Sequence, residues 1–399
     1  MSTSILPVPS SIGRLERGAL YAALLGILGL AAGYFSNPAQ FYRSYLFGYL
    51  FWTGVAVGCM SILLISHLTG GLWGLVTRRL LEAGTRTLPM MAVLFVPIAF
   101  GLSSLYTWTH PGDDPILRHK AAFLNVPFFL GRTVFYFAVW ILVASLLNRW
   151  SLELDQGESL RVSRRLRGAS GVGLVLMGLT ITFAAVDWAM SLSPHWFSTI
   201  YGIWFMVGQA LSALAVVIVI ATFLAGERPM SDVLRPGTLQ DLGKLLFAFT
   251  MLWAYVHLSQ FLIVWSGNLA EETPFYLHRT QGGWQHLGTF LIVFHFALPF
   301  LLLLSRDVKR NPRVLGTLAT WVIGVRVADL YWIVGPDLLG HGHEAVPLSF
   351  HWLDVAAPLG LGGLWLVQFA RELRRRPLLP LGEPEVMELV ELQPEKAAR

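Results

Sequence analysis

One cysteine, Cys59, in 399 residues leaves no partner for an intrachain disulfide. It also leaves no set of thiolates for an iron–sulfur cluster or a zinc site, and it excludes a C-x-x-C-H haem attachment. Charge is equally scarce. Only 13% of the residues are Asp, Glu, Lys or Arg while 55% are hydrophobic, against about 25% charged in an ordinary soluble domain. A soluble core of that composition would have too little polar surface to cover it, and the mean hydropathy of +0.58 points the same way. There is no Walker sequence, so nothing in the chain is built to hold a nucleotide or drive an ATP motor. The first apolar run follows Arg14 and Arg17 but has no A-x-A exit, so it reads as an uncleaved first span rather than a signal peptide. The net charge of +5 is spread between apolar runs instead of forming one patch, which speaks against nucleic acid as a partner.

Long apolar runs and aromatics are what the chain does have. Fifteen Trp, 25 Phe and 11 Tyr suit side chains placed at a membrane interface. Ten runs are long enough to cross about 30 Å of hydrocarbon: 18–35, 41–68, 88–107, 123–148, 168–191, 198–224, 239–266, 284–305, 313–335 and 350–370. Backbone polar groups in lipid need internal partners, so each run is expected to be a helix. The expected fold class is all-α, a polytopic membrane domain over 18–370 with a short N-terminus (1–17) and a tail (371–399). That tail is Pro- and Glu-rich and shows no helical period, which predicts a mobile or docking segment. Loop charge gives a direction. Of the 29 Lys and Arg, 22 fall in the N-terminus, the loops after even-numbered spans and the tail, including Arg78, Arg79, Arg161 and Arg374. The loops after odd-numbered spans hold four: Arg43, Arg118, Lys120 and Arg279. This alternation predicts ten spans with both termini cytoplasmic, and membrane lipid as the surrounding partner.

A charge near the bilayer centre costs about 2.5–3.5 kcal/mol even on the lenient insertion scale, so each one needs a partner or a function. Arg132, Asp187, Arg326, Asp329 and Asp354 lie inside the runs, joined by His257, His295 and His351. At 1.5 Å per residue, the first and the three acids fall in the outer half, with His257 and His295 nearer the middle. Acids, an arginine and histidines running from mid-membrane outward are what a proton-releasing site needs. Each has a structural alternative. Arg326 and Asp329, three apart, can neutralise each other on one helical face. His295 between Phe294 and Phe296 reads equally as a packed histidine bonded to a carbonyl. His341, His343 and Glu344 resemble a metal cluster, but a solvated loop explains them better, and no metal site is expected. Only His257 with His295 approaches the spacing of a haem pair. A quinone needs less: a lipid-accessible cleft lined by aromatic and branched side chains with one or two proton-exchanging groups.

Four blocks in one order carry a more specific signal. They are Ala185-Val-Asp187 through Pro194-His195-Trp to Gly202; Trp253-Ala-Tyr255 through His257 and Ser259-Gln260-Phe261 to Asn268; Glu271-Glu272-Thr273; and His295-Phe-Ala-Leu-Pro299 to Lys309-Arg310. Together they resemble the quinol-linked membrane-subunit family of NrfD/polysulfide-reductase type, and most closely the F subunit of alternative complex III. The resemblance runs from the second span to the tenth and adds His195 and Gln260 to the candidate residues. It implies two four-helix bundles, 41–191 and 198–335, in a bacterial cytoplasmic membrane. It further implies a complex that passes electrons from quinol to a cytochrome c or similar acceptor. The partners would be a homologous membrane subunit, an iron–sulfur subunit and c-type cytochrome subunits, which would hold the haem and iron–sulfur centres. In this chain it leaves two roles open, a proton path or scaffold and a quinone-site-like pocket. Two other readings compete: a secondary transporter using the same acids, although Pro97, Pro127 and Pro299 form no evident repeat, and a purely structural assembly subunit.

Overall fold

A computed structural model describes residues 9–157, 159–340 and 346–391, and among them every regular element is helical. Ten helices are long and apolar enough to cross a membrane, and the chain is a multi-pass membrane protein. They are α1 (Ser10–Ser36), α2 (Pro38–Thr69), α3 (Leu72–Phe100), α4 (Val126–Asp155), α5 (Arg161–Leu192), α6 (Tyr201–Leu224), α7 (Pro236–Gly267), α8 (Trp284–Leu304), α9 (Pro312–Gly340) and α10 (Leu353–Arg374).

The centre of the molecule is the crossing of α2 and α6. The most apolar stretches of these two helices are 83% and 78% buried, against 28%, 28% and 22% for α1, α7 and α8, which face outward. On one side of the crossing α2 packs with α3 and α5, and α4 with α5; on the other, α6 packs with α7 and α9. Helices α1 and α10 form a further pair against α2. Apolar surface gives helices in lipid no reason to associate, so close backbone approach has to come from small residues. Gly26 supplies it on α1, where a Cβ would fall 2.2 Å from the Cα of Gly360 on α10.

Two helices are irregular for identifiable reasons. Helix α3 is segmented near Pro89, Pro97 and Gly101. Helix α8 widens into a π-helical turn over Ile292–Ala297, just before Pro299. Proline has no N–H for the carbonyl four residues back, here that of His295, and π-turns of this kind collect at functional sites.

Two expectations change. Arg78 and Arg79, assigned from sequence to the loop after α2, lie on the first turns of α3, which starts at Leu72 after the Gly70-Gly71 link. They are buried because Arg78 bonds Glu383 at 2.7 Å and Arg79 bonds Glu82 at 2.6 Å and also Asp155. Ion pairing lets helix continue where composition alone predicts a loop. The tail also departs from the reading without a helical period. It carries a short helix, α11 (Pro384–Glu391), and Leu378, Leu379 and Val386 are buried.

Candidate functional site

Burial of the ionisable residues divides them into separate groups. In the half built on α4 and α5, Asp187 is fully buried and Arg132 grips it with two bonds, Nε to Oδ2 at 2.8 Å and Nη2 to Oδ1 at 2.7 Å. The Tyr136 hydroxyl donates to the same Oδ2 at 2.7 Å. Nη1 of Arg132 donates to the Phe123 carbonyl at 2.9 Å, and its guanidinium lies 3.8 Å from the Phe123 ring centroid. Every oxygen and most of the guanidinium thus have partners, which is the condition for keeping an ion pair in a low-dielectric interior. The partner of Asp187 comes from another helix, as its sequence surroundings require.

The second group lies on α6, α7 and α9. Nη1 of Arg326 contacts Asp329 Oδ2, and its Nε donates to Ser212 Oγ at 3.2 Å. Trp253 Nε1 donates to Asp329 Oδ2 at 3.1 Å, and His257 Nε2 lies 3.1 Å from Asp329 Oδ1. The ion pair of Arg326 and Asp329 therefore exists, but it does not close the site, because the second carboxylate oxygen faces a histidine. Trp204 Nε1 donates to His257 Nε2 at 2.7 Å, while His257 Nδ1 is 3.0 Å from the Trp253 carbonyl. An indole N–H can only donate, so Nε2 meets it with a lone pair. Nε2 has a single lone pair, so while the indole bond is made Asp329 Oδ1 stands beside His257 at 3.1 Å as a neighbour that stays ion-paired to Arg326.

His295 occupies the π-turn of α8, is fully buried, and among the described residues has no hydrogen-bond partner at either ring nitrogen. The alternative of a histidine bonded to a neighbouring carbonyl therefore does not hold. Its ring packs on Trp253 at 3.8 Å between centroids, and His257 packs on the same indole at 4.1 Å. Trp253 thus touches both imidazoles.

The remaining candidates are distributed around these groups. Asp354, in the first turn of α10, accepts from Ser44 Oγ at 2.5 Å, Gln40 Nε2 at 3.2 Å and the His351 backbone N–H at 2.9 Å. His351 thus serves Asp354 through its main chain, while its ring Nδ1 accepts from Leu353 N–H at 3.3 Å. His195 Nε2 lies 2.7 Å from Asp114 Oδ2 in the connections outside the spans. Gln260, buried on α7, accepts from Ser198 Oγ at 2.8 Å. His341, His343 and Glu344 lie outside the described residues.

Sequence reasoning missed one group. Arg279, counted as a loop charge, is buried and paired with Asp337 at 2.8 Å, and Ser193 Oγ donates to the other oxygen of Asp337 at 2.6 Å. Arg279 also donates to the Trp332 carbonyl at 3.0 Å, which Pro336 four residues on cannot serve, and lies 3.4 Å from the Phe275 ring centroid. The available signal was Asp337 at the end of an apolar run with no basic residue in its own helical turn.

Between the two main groups, at the α2–α6 crossing, lie two small cavities that share Leu50, Gly54, Phe205 and Gln209. One, about 20 Å³, is lined by Arg326, Ser212 and Trp204; the other, about 10 Å³, by Trp140 and Trp188. Gln209 Oε1 is buried with no hydrogen-bond partner among the described residues. A third cavity of about 220 Å³ lies beside α5 and is lined by Phe123, Val186, Met190, Trp196 and Phe197 with Lys120 and Ser191. No protein-family model matches the chain, and no curated protein matches it.

Proposed function

We propose that this chain is the integral membrane subunit of a quinol-linked electron-transfer complex of NrfD/polysulfide-reductase type, similar to the F subunit of alternative complex III. In this reading it moves protons through the polar groups of its two halves. Both termini face the cytoplasm of a bacterium, the helices flanking the α2–α6 crossing form two four-helix bundles, and partner subunits supply the haem and iron–sulfur centres.

The observation that carries this reading is the position of Gln209. Its unpartnered carbonyl oxygen sits between a cavity that reaches Arg326 and one that reaches Trp188, the residue after Asp187. A buried site needs about 10–15 Å³ and two to four polar partners to hold a water, and the cavity that Gln209 shares with Arg326 and Ser212 offers both. A water on Gln209 would place a proton carrier between the Asp329–His257 pair and the Asp187–Arg132–Tyr136 group. Asp354, bonded by neutral donors, would be the end member near the membrane surface.

A second reading is favoured by the cavity beside α5. Its aromatic and branched walls suit a quinone ring, although about 220 Å³ is below the roughly 300 Å³ at which ligand pockets usually begin. Such a ring would be held at its head while its tail lay in lipid.

The test is Asp187→Asn and Asp354→Asn in the assembled complex, with quinol-driven electron transfer and proton yield as readouts. Loss of proton yield with normal assembly is expected for Asp354→Asn, and for Asp187→Asn when it is combined with Arg132→Gln so that no buried guanidinium is stranded. Wild-type rates and yields in both variants would remove the proposed role. Isolation of the chain alone or as a homo-oligomer, with no haem-containing partner visible by absorbance, would favour a secondary transporter instead. A change in assembly without a change in turnover would leave a structural subunit.

A further inference from the structure

Far from the groups above, where α3, α4 and α10 come together at their arginine-bearing ends, lies a cavity of about 440 Å³. Arg86, Arg149 and Arg376 line it, with Pro89, Ile141 and Leu152 on its apolar side. The one carboxylate in the lining, Glu372, is already shared: Arg375 Nη1 bonds it at 2.6 Å and Arg86 Nε lies 3.3 Å away. That Arg86 Nε is buried and has no hydrogen bond among the described residues, while its Nη2 donates to the Glu372 carbonyl at 2.8 Å. Arg376 is turned inward by Asn148, whose carbonyl and side-chain oxygens accept at 3.2 and 3.1 Å. Behind this wall Glu82 is shared between Arg79 and Arg376, the latter at 3.6 Å, Asp155 bonds Arg79, and Glu153 bonds Arg149 at 3.1 Å. The lining itself holds three guanidiniums against one carboxylate.

Its apolar side does not end at the cavity. From Pro89 the same face of α3 continues through Val93, Val96 and Phe100, which are 68%, 48% and 79% exposed. Leu142 and Leu146 on α4 are exposed alongside. Steps of three and four residues keep these α3 side chains in one stripe along the span. A cationic recess at a helix end that opens into an apolar stripe matches an amphiphile with one anionic head.

We propose that this cavity binds the phosphate of an anionic phospholipid, held by Arg86, Arg149 and Arg376, with an acyl chain along Pro89, Val93, Val96 and Phe100. Free phosphate shares the head chemistry but has no use for the stripe, and a zwitterionic lipid leaves the guanidinium excess unmatched.

The experiment is thermal melting of the full chain, delipidated in detergent, with phosphatidylglycerol, phosphatidylcholine or inorganic phosphate added. Phosphatidylglycerol is expected to raise Tm by about 3 °C or more, as ligand linkage requires for a native-state binder, and the other two additives by less than a third of that. Arg149→Gln with Arg376→Gln should remove most of the shift. Ser145→Glu, which puts a carboxylate on an exposed position of the cavity lining, should abolish it with the lipid-free Tm unchanged, and this variant decides the matter if the arginine pair fails to fold. Arg310→Gln with Arg313→Gln removes the same charge from another loop and should leave the shift intact. Equal shifts with phosphatidylcholine or with inorganic phosphate, or an equal loss in the Arg310/Arg313 variant, would overturn the proposal.

Discussion

Arg132 on α4 and Asp187 on α5 are matched fork to fork, Nε to Oδ2 at 2.8 Å and Nη2 to Oδ1 at 2.7 Å. Asp187 is fully buried, so its charge is tolerated only through that guanidinium and the Tyr136 hydroxyl. Removing one partner strands the other. Arg132→Gln alone is expected to destabilise the protein by about 3–5 kcal/mol, whereas Arg132→Gln with Asp187→Asn should recover most of that loss. Denaturation midpoints of the two single variants and the double variant in detergent check this. Additive losses would mean that the pair is not coupled.

Gly208 on α6 makes room for the second group. A Cβ there would fall 2.2 Å from Arg326 Nη2 and 2.8 Å from its Cζ, and the guanidinium is held in place by Asp329 and Ser212. Gly208→Ala is therefore expected to cost about 1–3 kcal/mol by overpacking. Gly131→Ala on α4, with nothing within 4 Å of its Cβ, should instead stabilise by about 0.5–1 kcal/mol, the usual gain from replacing a helical glycine. Thermal melts of the two variants should move in opposite directions.

Asp114 provides a pH-dependent contact outside the spans. Partial burial alone would raise its carboxyl pKa, but the Leu117 and Ile116 N–H groups and His195 outweigh that and hold it below the ordinary value. A carboxyl whose folded-state pKa is depressed contributes stability that is complete above its unfolded pKa, about 3.9, and is lost as pH falls through the lower folded value. Asp114→Asn should therefore reduce stability near neutral pH, and the difference from wild type should shrink below about pH 4. A difference that stays constant from neutral to acid would show that the carboxylate makes no such contribution.

The ten helices were legible because each is a long apolar run, a signal that the bilayer makes nearly unambiguous. Asp187 and Asp329 were legible for the opposite reason, as charges where hydrocarbon tolerates none. What could not be read was pairing across helices. No spacing rule links Arg132 to Asp187, Arg279 to Asp337 or Ser44 to Asp354, since each bond depends on how two spans face each other. The same blindness placed Arg78 and Arg79 in a loop. Read alone they are positive charges that end a span, and only Glu82 one turn on, with Asp155 from α4 and Glu383 from the tail, lets α3 begin before them. The cavities beside Gln209 are likewise products of packing, and no sequence pattern announces them.

The tail is the sharpest case, and it can be tested by deletion. Its composition reads as a mobile or docking segment, and in the structure Leu378, Leu379 and Val386 are buried and Glu383 bonds Arg78 at 2.7 Å. Gly382 N–H adds a bond to Asp155 Oδ1 at 3.2 Å, and Asp155 is also a partner of Arg79. Truncation after Arg376 would expose three apolar side chains and remove the carboxylate from a buried arginine. Each fully buried Leu or Val contributes about 1.5–3 kcal/mol, and an arginine left without its acid adds to that loss. The truncated chain should therefore melt well below wild type and become protease-sensitive at the ends of α3 and α4. Glu383→Gln, which keeps the apolar contacts, should lose only a fraction of that stability. A truncated chain with an unchanged melting temperature would mean that α11 is not held against the membrane domain.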